Sequence, residues 1–128
     1  MKNKIVIVDD APFIREVVHQ LLSKSGYQIV GEAENGEEAI QVVLENEPDL
    51  VLMDIVLPIK SGIEATKAIK ERLPDIKVLA CSTVDNEAMV MRALEAGCEG
   101  YVTKPFKAEE LLASIHRLLG DKAKEKSL

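Results

Sequence analysis

Short aliphatic runs return at intervals along this chain, each closed by a turn and each followed by a longer segment whose apolar residues recur at helical spacing. The runs are Lys4 to Val8, Tyr27 to Val30, Leu50 to Met53, Lys77 to Cys81 and Gly100 to Val102. Richness in Val and Ile over so few positions marks strands covered on both faces. Between them, Ile14, Val17, Val18, Leu21 and Leu22 fall on one helical face, and Leu111, Leu112, Ile115, Leu118 and Leu119 do so near the end. Glu37 to Glu47, Gly62 to Leu73 and Asn86 to Ala96 also read as helix, with Pro48, Pro74 and Gly97 just past their ends. Parallel strands need a crossover between them, and such crossovers are right-handed. The alternation therefore predicts a doubly wound α/β domain, a five-stranded parallel sheet with five helices shared between its faces.

The 128 residues suffice for one sizeable core and not for two. One domain over 1–120 is expected, followed by a charged C-terminal tail, 121–128, that frays. With 16 basic and 22 acidic residues the formal charge is −6, which opposes the phosphate neutralisation on which nucleic-acid affinity depends. The first apolar run stops at Val8, too short for a secretory core, and no run approaches the ~20 apolar residues of a membrane span. A cytoplasmic protein without direct nucleic-acid contact or membrane insertion is expected. Cys81 and Cys98 have no Cys or His at ligand spacing and read as small core residues, while His19 and His116 read as solvated or half-buried helix positions.

In an open α/β sheet, ligands bind beyond the carboxyl ends of the strands. Asp9 and Asp10 follow the first run, Asp54 the third, Ser82 and Thr83 the fourth, and Thr103-Lys104-Pro105 the fifth. Singly these have ordinary explanations: Asp10 as cap of the helix that Pro12 opens, Asp54 as a turn acid ahead of Pro58, Ser82 or Thr83 as turn residues. Jointly they do not, because neighbouring carboxylates repel and raise each other's pKa unless a cation compensates them. Carboxylate oxygens, backbone carbonyls and water are the ligands of Mg²⁺.

Asp9-Asp10, Met53-Asp54 with Pro58 and Gly62 following, Cys81-Ser82, Ala96-Gly97 and Lys104-Pro105-Phe106 closely resemble the receiver domain of two-component response regulators, over about Lys4 to Leu119. The short length and Ile7-Val8-Asp9-Asp10-Ala11-Pro12-Phe13 look most like the stand-alone, CheY-like type. The resemblance implies a flavodoxin-like strand order, 2-1-3-4-5. It implies Mg²⁺ as cofactor, bound directly by Asp10, mostly through water by Asp9, and by Asp54 and the backbone carbonyl of Val56. Asp54 would accept a phosphoryl group from a phosphohistidine on a sensor histidine kinase, Lys104 would offset charge on the group in transfer, and Ser82 would hydrogen-bond a phosphoryl oxygen. Tyr101, otherwise an ordinary core aromatic, would turn inward as Ser82 moves. The Lys104-Pro105 peptide would be cis.

By the same resemblance the protein is a monomeric signalling switch rather than an enzyme, catalysing only its own phosphorylation and dephosphorylation. Its output face would be helix 4, strand 5 and helix 5. Helix 4 is apolar on nearly every side, which suits deep burial or partner binding. The expected partner is a flagellar motor switch protein in chemotaxis; alternatives are a phosphotransfer protein in a phosphorelay, or an output domain from which this receiver is separated. A flavodoxin is disfavoured because Asp9 and Asp10 would repel the flavin phosphate and no Gly-rich phosphate loop is present. An aspartyl phosphatase is disfavoured because Val56 occupies the position of the acid that protonates the leaving group. Val56 and Val84, which in the family flank the phosphoryl group, cannot orient water, implying a long-lived acyl phosphate.

Overall fold

Side-chain alternation divides every central strand between two hydrophobic cores, and the helices follow that division. The computed structural model describes residues 3–84 and 86–127, with side-chain surroundings through Gly120. The elements run β1 (Lys4–Val8), α1 (Pro12–Lys24), β2 (Gln28–Ala33), α2 (Gly36–Asn46), β3 (Leu50–Asp54), α3 (Gly62–Arg72), β4 (Lys77–Ser82), α4 (Glu87–Ala96), β5 (Gly100–Thr103) and α5 (Ala108–Ser127). All strand pairings are parallel, in the order β2-β1-β3-β4-β5. The expected doubly wound sheet and its order are both observed.

Val6, Val8, Val51, Met53, Val78 and Ala80 point to the core under α2, α3 and α4. Ile5, Ile7, Leu50, Leu52, Leu79 and Cys81 point to the other, under α1 and α5. Residues one apart on a strand face opposite ways, so a run with no polar member is what two covered faces require. Each fully buried aliphatic side chain contributes about 1.5–3 kcal/mol.

The strand and helix ends carry the local signals that the sequence suggests. Asn35, Ser61 and Asn86 cap α2, α3 and α4, each accepting a hydrogen bond from the backbone N–H three residues on. Gly97 ends α4 with φ of 115°, a conformation that only glycine adopts without strain.

Two expectations need correction. The second strand extends past Val30 to Ala33, because a bulge shifts its register against β1 and brings Gly31, Glu32 and Ala33 opposite Val6, Ile7 and Val8. On α1, Val17 does not join the buried face: it is 50% exposed, and Phe13 is 74% exposed. Only Val18 and Leu22 of that helix are fully buried. The side chains of 121–128, on which the expectation of a fraying tail falls, lie outside the described residues. No helix among the described residues is long and apolar enough to cross a membrane.

Candidate functional site

The carboxyl ends of β1, β3 and β5 bring three carboxylates and one ammonium together. Carboxylate oxygens of Asp9, Asp10 and Asp54 lie within 4.8 Å of one another. Asp9 and Asp54 are buried, at 5% and 7% exposure, and Asp10 faces solvent. Parallel pairing explains the convergence: Val8 sits opposite Met53, so Asp9 and Asp54 leave adjacent strands at the same level. The Lys104 ammonium, one residue beyond β5, donates to Asp9 Oδ2 at 2.5 Å and to Asp54 Oδ2 at 3.1 Å. The remaining oxygen of each acid closes a local turn: Asp9 Oδ1 accepts from Ala11 N–H at 2.9 Å and Asp54 Oδ1 from Val56 N–H at 3.0 Å. The Lys104-Pro105 peptide is cis.

Burial raises the Asp54 carboxyl above its ordinary 3.8, outweighing the hydrogen bond and charge of Lys104, which act to lower it; the nearby Asp9 charge adds to the rise. Burial also acts to lower the Lys104 ammonium, but its hydrogen bonds to Asp9 and Asp54, with their charges, raise it overall. Among the described residues, three clustered carboxylates thus face one ammonium that pairs with two of them. Hard oxygen donors in charge excess, close enough for one small ion to touch, fit Mg²⁺.

Ser82 and Tyr101 are joined through one residue. Ser82, 1% exposed, accepts from Val84 N–H at 3.1 Å, and the Tyr101 hydroxyl donates to the Val84 carbonyl. Ser82 therefore closes a local turn, as its simpler reading had it, and is also next to Cys81, which pairs with Asp54 across the sheet. Asp10 does not cap α1: the helix begins at Pro12 with Ala11 at the capping position and no side-chain cap. Cys81 and Cys98 are buried, and burial pushes their thiols up to about 12 and about 11, which removes them as nucleophiles.

Three features were not read from the sequence. Arg15 donates to the Asp9 carbonyl at 2.6 Å and pairs with Glu32 at 3.2 Å, while His19 meets the other Glu32 oxygen at 2.7 Å, so α1 and β2 brace the loop that bears Asp9. Beside Lys104, a groove of about 500 Å³ runs between Ile14, Val17 and Val18 of α1 and Thr83, Pro105 and Phe106. In the β3–α3 loop, Ile59 has φ of 69° and the Lys60 N–H donates to the Pro58 carbonyl at 2.7 Å, closing a left-handed γ-turn on a β-branched residue that is 81% exposed. Replacing Ile59 by Asn, which tolerates this conformation and gives up little burial, is expected to raise stability by about 1 kcal/mol. Urea melts of the two proteins check this, and an unchanged or lower midpoint rejects it.

The response regulator receiver domain profile matches residues 5–116. The chemotaxis protein CheY of Bacillus subtilis is 40% identical over 93% of this chain and 99% of its own. Among solved structures, Vibrio cholerae CheY4 superposes with a TM-score of 0.88 at 27% identity, over 93% of this chain and all of that one. CheY in the CheX-CheY-BeF3-Mg complex of Borrelia burgdorferi superposes with a TM-score of 0.88 at 26% identity, over 91% of this chain and 89% of that one.

Proposed function

The chain belongs to the response regulator receiver family, and on that footing we propose that it takes a phosphoryl group from the phosphohistidine of a sensor histidine kinase onto Asp54. The observation that carries this reading is the buried Asp54 carboxylate held by Lys104 beside Asp9 and Asp10. A carboxylate oxygen of Asp54 attacks phosphorus, the P–N bond to the donor imidazole breaks, and an acyl phosphate remains. Asp9, Asp10, Asp54 and the Val56 carbonyl would hold Mg²⁺, whose charge would offset repulsion between nucleophile and phosphoryl oxygens. Lys104 gives up its Asp54 oxygen for a phosphoryl oxygen, and the Ser82 hydroxyl, which accepts from the Val84 N–H, donates to another. The donor arrives over the groove beside Lys104 and the exposed Val56, two residues past Asp54.

The protein then works as a cytoplasmic switch rather than as a turnover enzyme. Incubation with acetyl phosphate and Mg²⁺ is expected to leave one phosphoryl group on Asp54, and a phosphomonoester is expected to stay intact. Steady release of phosphate from the monoester would identify a phosphatase instead. Mg²⁺ alone is expected to raise the melting temperature, by about 2.7 kcal/mol of added stability at a hundredfold excess over Kd. A flat titration rejects the metal site.

The output we propose is chemotactic, through a flagellar motor switch protein. Near-full-length similarity to a chemotaxis protein supports it, as do Met91 and Leu94, which stand 50% and 46% exposed on α4 while Ala93 and Ala96 fill the core. Val56 and Val84 favour a second reading, a phosphorelay intermediate that hands its phosphate to a phosphotransfer protein. Neither side chain can hold an attacking water in line, so the acyl phosphate is expected to persist. The double variant Val56→Asn, Val84→Glu is expected to lose phosphate at least several-fold faster; equal decay with Mg²⁺ affinity intact removes this support.

A further inference from the structure

We infer that Gly36, the first residue of α2, is a positioning residue for the phosphoryl site: it lets the β3–α3 loop lie directly on the N-terminus of α2, and so fixes where Val56 and Asp54 stand. The inference rests on the acceptor role proposed for Asp54. A Cβ on Gly36 would meet the Lys60 carbonyl oxygen at 2.0 Å, its carbon at 2.6 Å and the Lys60 Cβ at 2.9 Å. The first two are backbone atoms, which cannot swing aside as the tip of a side chain can. Local conformation does not ask for glycine here, since Gly36 is not among the residues of positive φ. Helix propensity disfavours it by about 1 kcal/mol relative to alanine. What the missing side chain provides is the close approach.

The other end of the loop is seated the same way, because a Cβ on Gly62 would meet the Asp54 carbonyl oxygen at 2.1 Å and the Ile55 Cα at 2.8 Å. Between these two contacts the loop has little freedom. The γ-turn on Ile59 closes through Lys60 N–H, and Gly62 N–H donates to the Ile55 carbonyl at 2.8 Å. A Lys60–Glu37 ion pair at 3.5 Å straps the outer side of the α2 contact. A push on Lys60 is therefore passed along a stiff path to Val56, whose N–H holds Asp54 Oδ1. Groups that orient metal ligands without touching the metal change its affinity by about 10–100-fold.

The test measures binding of Mg²⁺ with beryllofluoride to the full chain by calorimetry. Gly36→Ala is expected to bind about tenfold more weakly or worse, and its free form is expected to show shifted amide resonances at Val56, Lys60 and Gly62. Ile115→Val, which removes a buried methylene from the core under α5, destabilises the fold without touching the loop and is expected to bind as wild type does. Should Gly36→Ala fail to fold, the wild-type amides decide: Gly36 is expected to shift during the titration with the same midpoint as Val56, although it touches no ligand. Wild-type affinity in Gly36→Ala, or a Gly36 amide unmoved at saturation, overturns this inference alone. Wild-type protein that binds no beryllofluoride overturns the acceptor role and this inference with it.

Discussion

Asp54→Asn protein takes up no phosphoryl group from acetyl phosphate and Mg²⁺, while wild type takes up one per chain, as intact mass and peptide mapping will show. The asparagine keeps the size of the aspartate and an oxygen for the Val56 N–H, and Lys104 retains Asp9. What is lost is the anionic nucleophile, without which the acyl phosphate cannot form. The same variant carries a pH signature. Burial raises the Asp54 carboxyl in the native protein, so the native state holds that proton more tightly than the unfolded chain does. Stability then falls as pH rises from below the ordinary value of 3.8 through the higher native one. Asn does not ionise, so the stability of Asp54→Asn without metal gains on wild type across that window and keeps the gain at neutral pH. Denaturant melts at about pH 3 and about pH 7 measure it. A gap that does not change with pH removes the electrostatic account, and phosphate found on another residue removes the acceptor assignment.

Lys104→Met is expected to cost about 3 kcal/mol at neutral pH without Mg²⁺, the range seen when one partner of a buried ion pair is removed, or on the order of 10 °C in melting temperature. Its side chain is 17% exposed, and it is the cation that Asp9 and Asp54 share. Its partners raise its pKa, so by linkage its contribution is complete below the ordinary lysine range and is lost only above it. Neutral pH therefore registers the full effect. Acidification narrows the gap as Asp54 takes up a proton, and Mg²⁺ narrows it by replacing the missing charge, so the metal stabilises the variant more than wild type. Melts with and without Mg²⁺ at two pH values test all of this together. An unshifted neutral-pH melt means that the pair contributes nothing net to the fold.

The sheet was legible because burial on two faces forces an unbroken apolar run at each central strand, and the Val/Ile/Leu runs at Lys4 to Val8, Leu50 to Met53 and Lys77 to Cys81 show it. The edge strand was not: Gly31 and Glu32 look like loop, and only the bulge that pairs them with β1 makes them strand. The α1 face was half legible. Helical spacing places Val17 beside Val18, yet cannot say how far the neighbouring helix reaches, and Val17 stays open. The acids of the site could be read from strand ends. Lys104 could be read there with them, at the end of the fifth strand; its direct hydrogen bonds to Asp9 and Asp54, 95 and 50 positions away, could not. Gly36 and Ile59 gave no signal because both matter through backbone placement, which side-chain chemistry does not encode. A β-branched residue is the last expected at positive φ.

The tie between Ser82 and Tyr101 runs through the main chain of Val84, its N–H toward one and its carbonyl toward the other. The side chain at 84 takes no part in it. On the reading proposed above, that side chain governs how readily water reaches the phosphate, while the peptide groups of the same residue would carry to Tyr101 the movement of Ser82 that the family resemblance implies. Duration and transmission would thus reside on one residue but on different atoms of it. A substitution at position 84 would then lengthen or shorten the signal while leaving in place the main-chain hydrogen bonds that tie Ser82 to Tyr101.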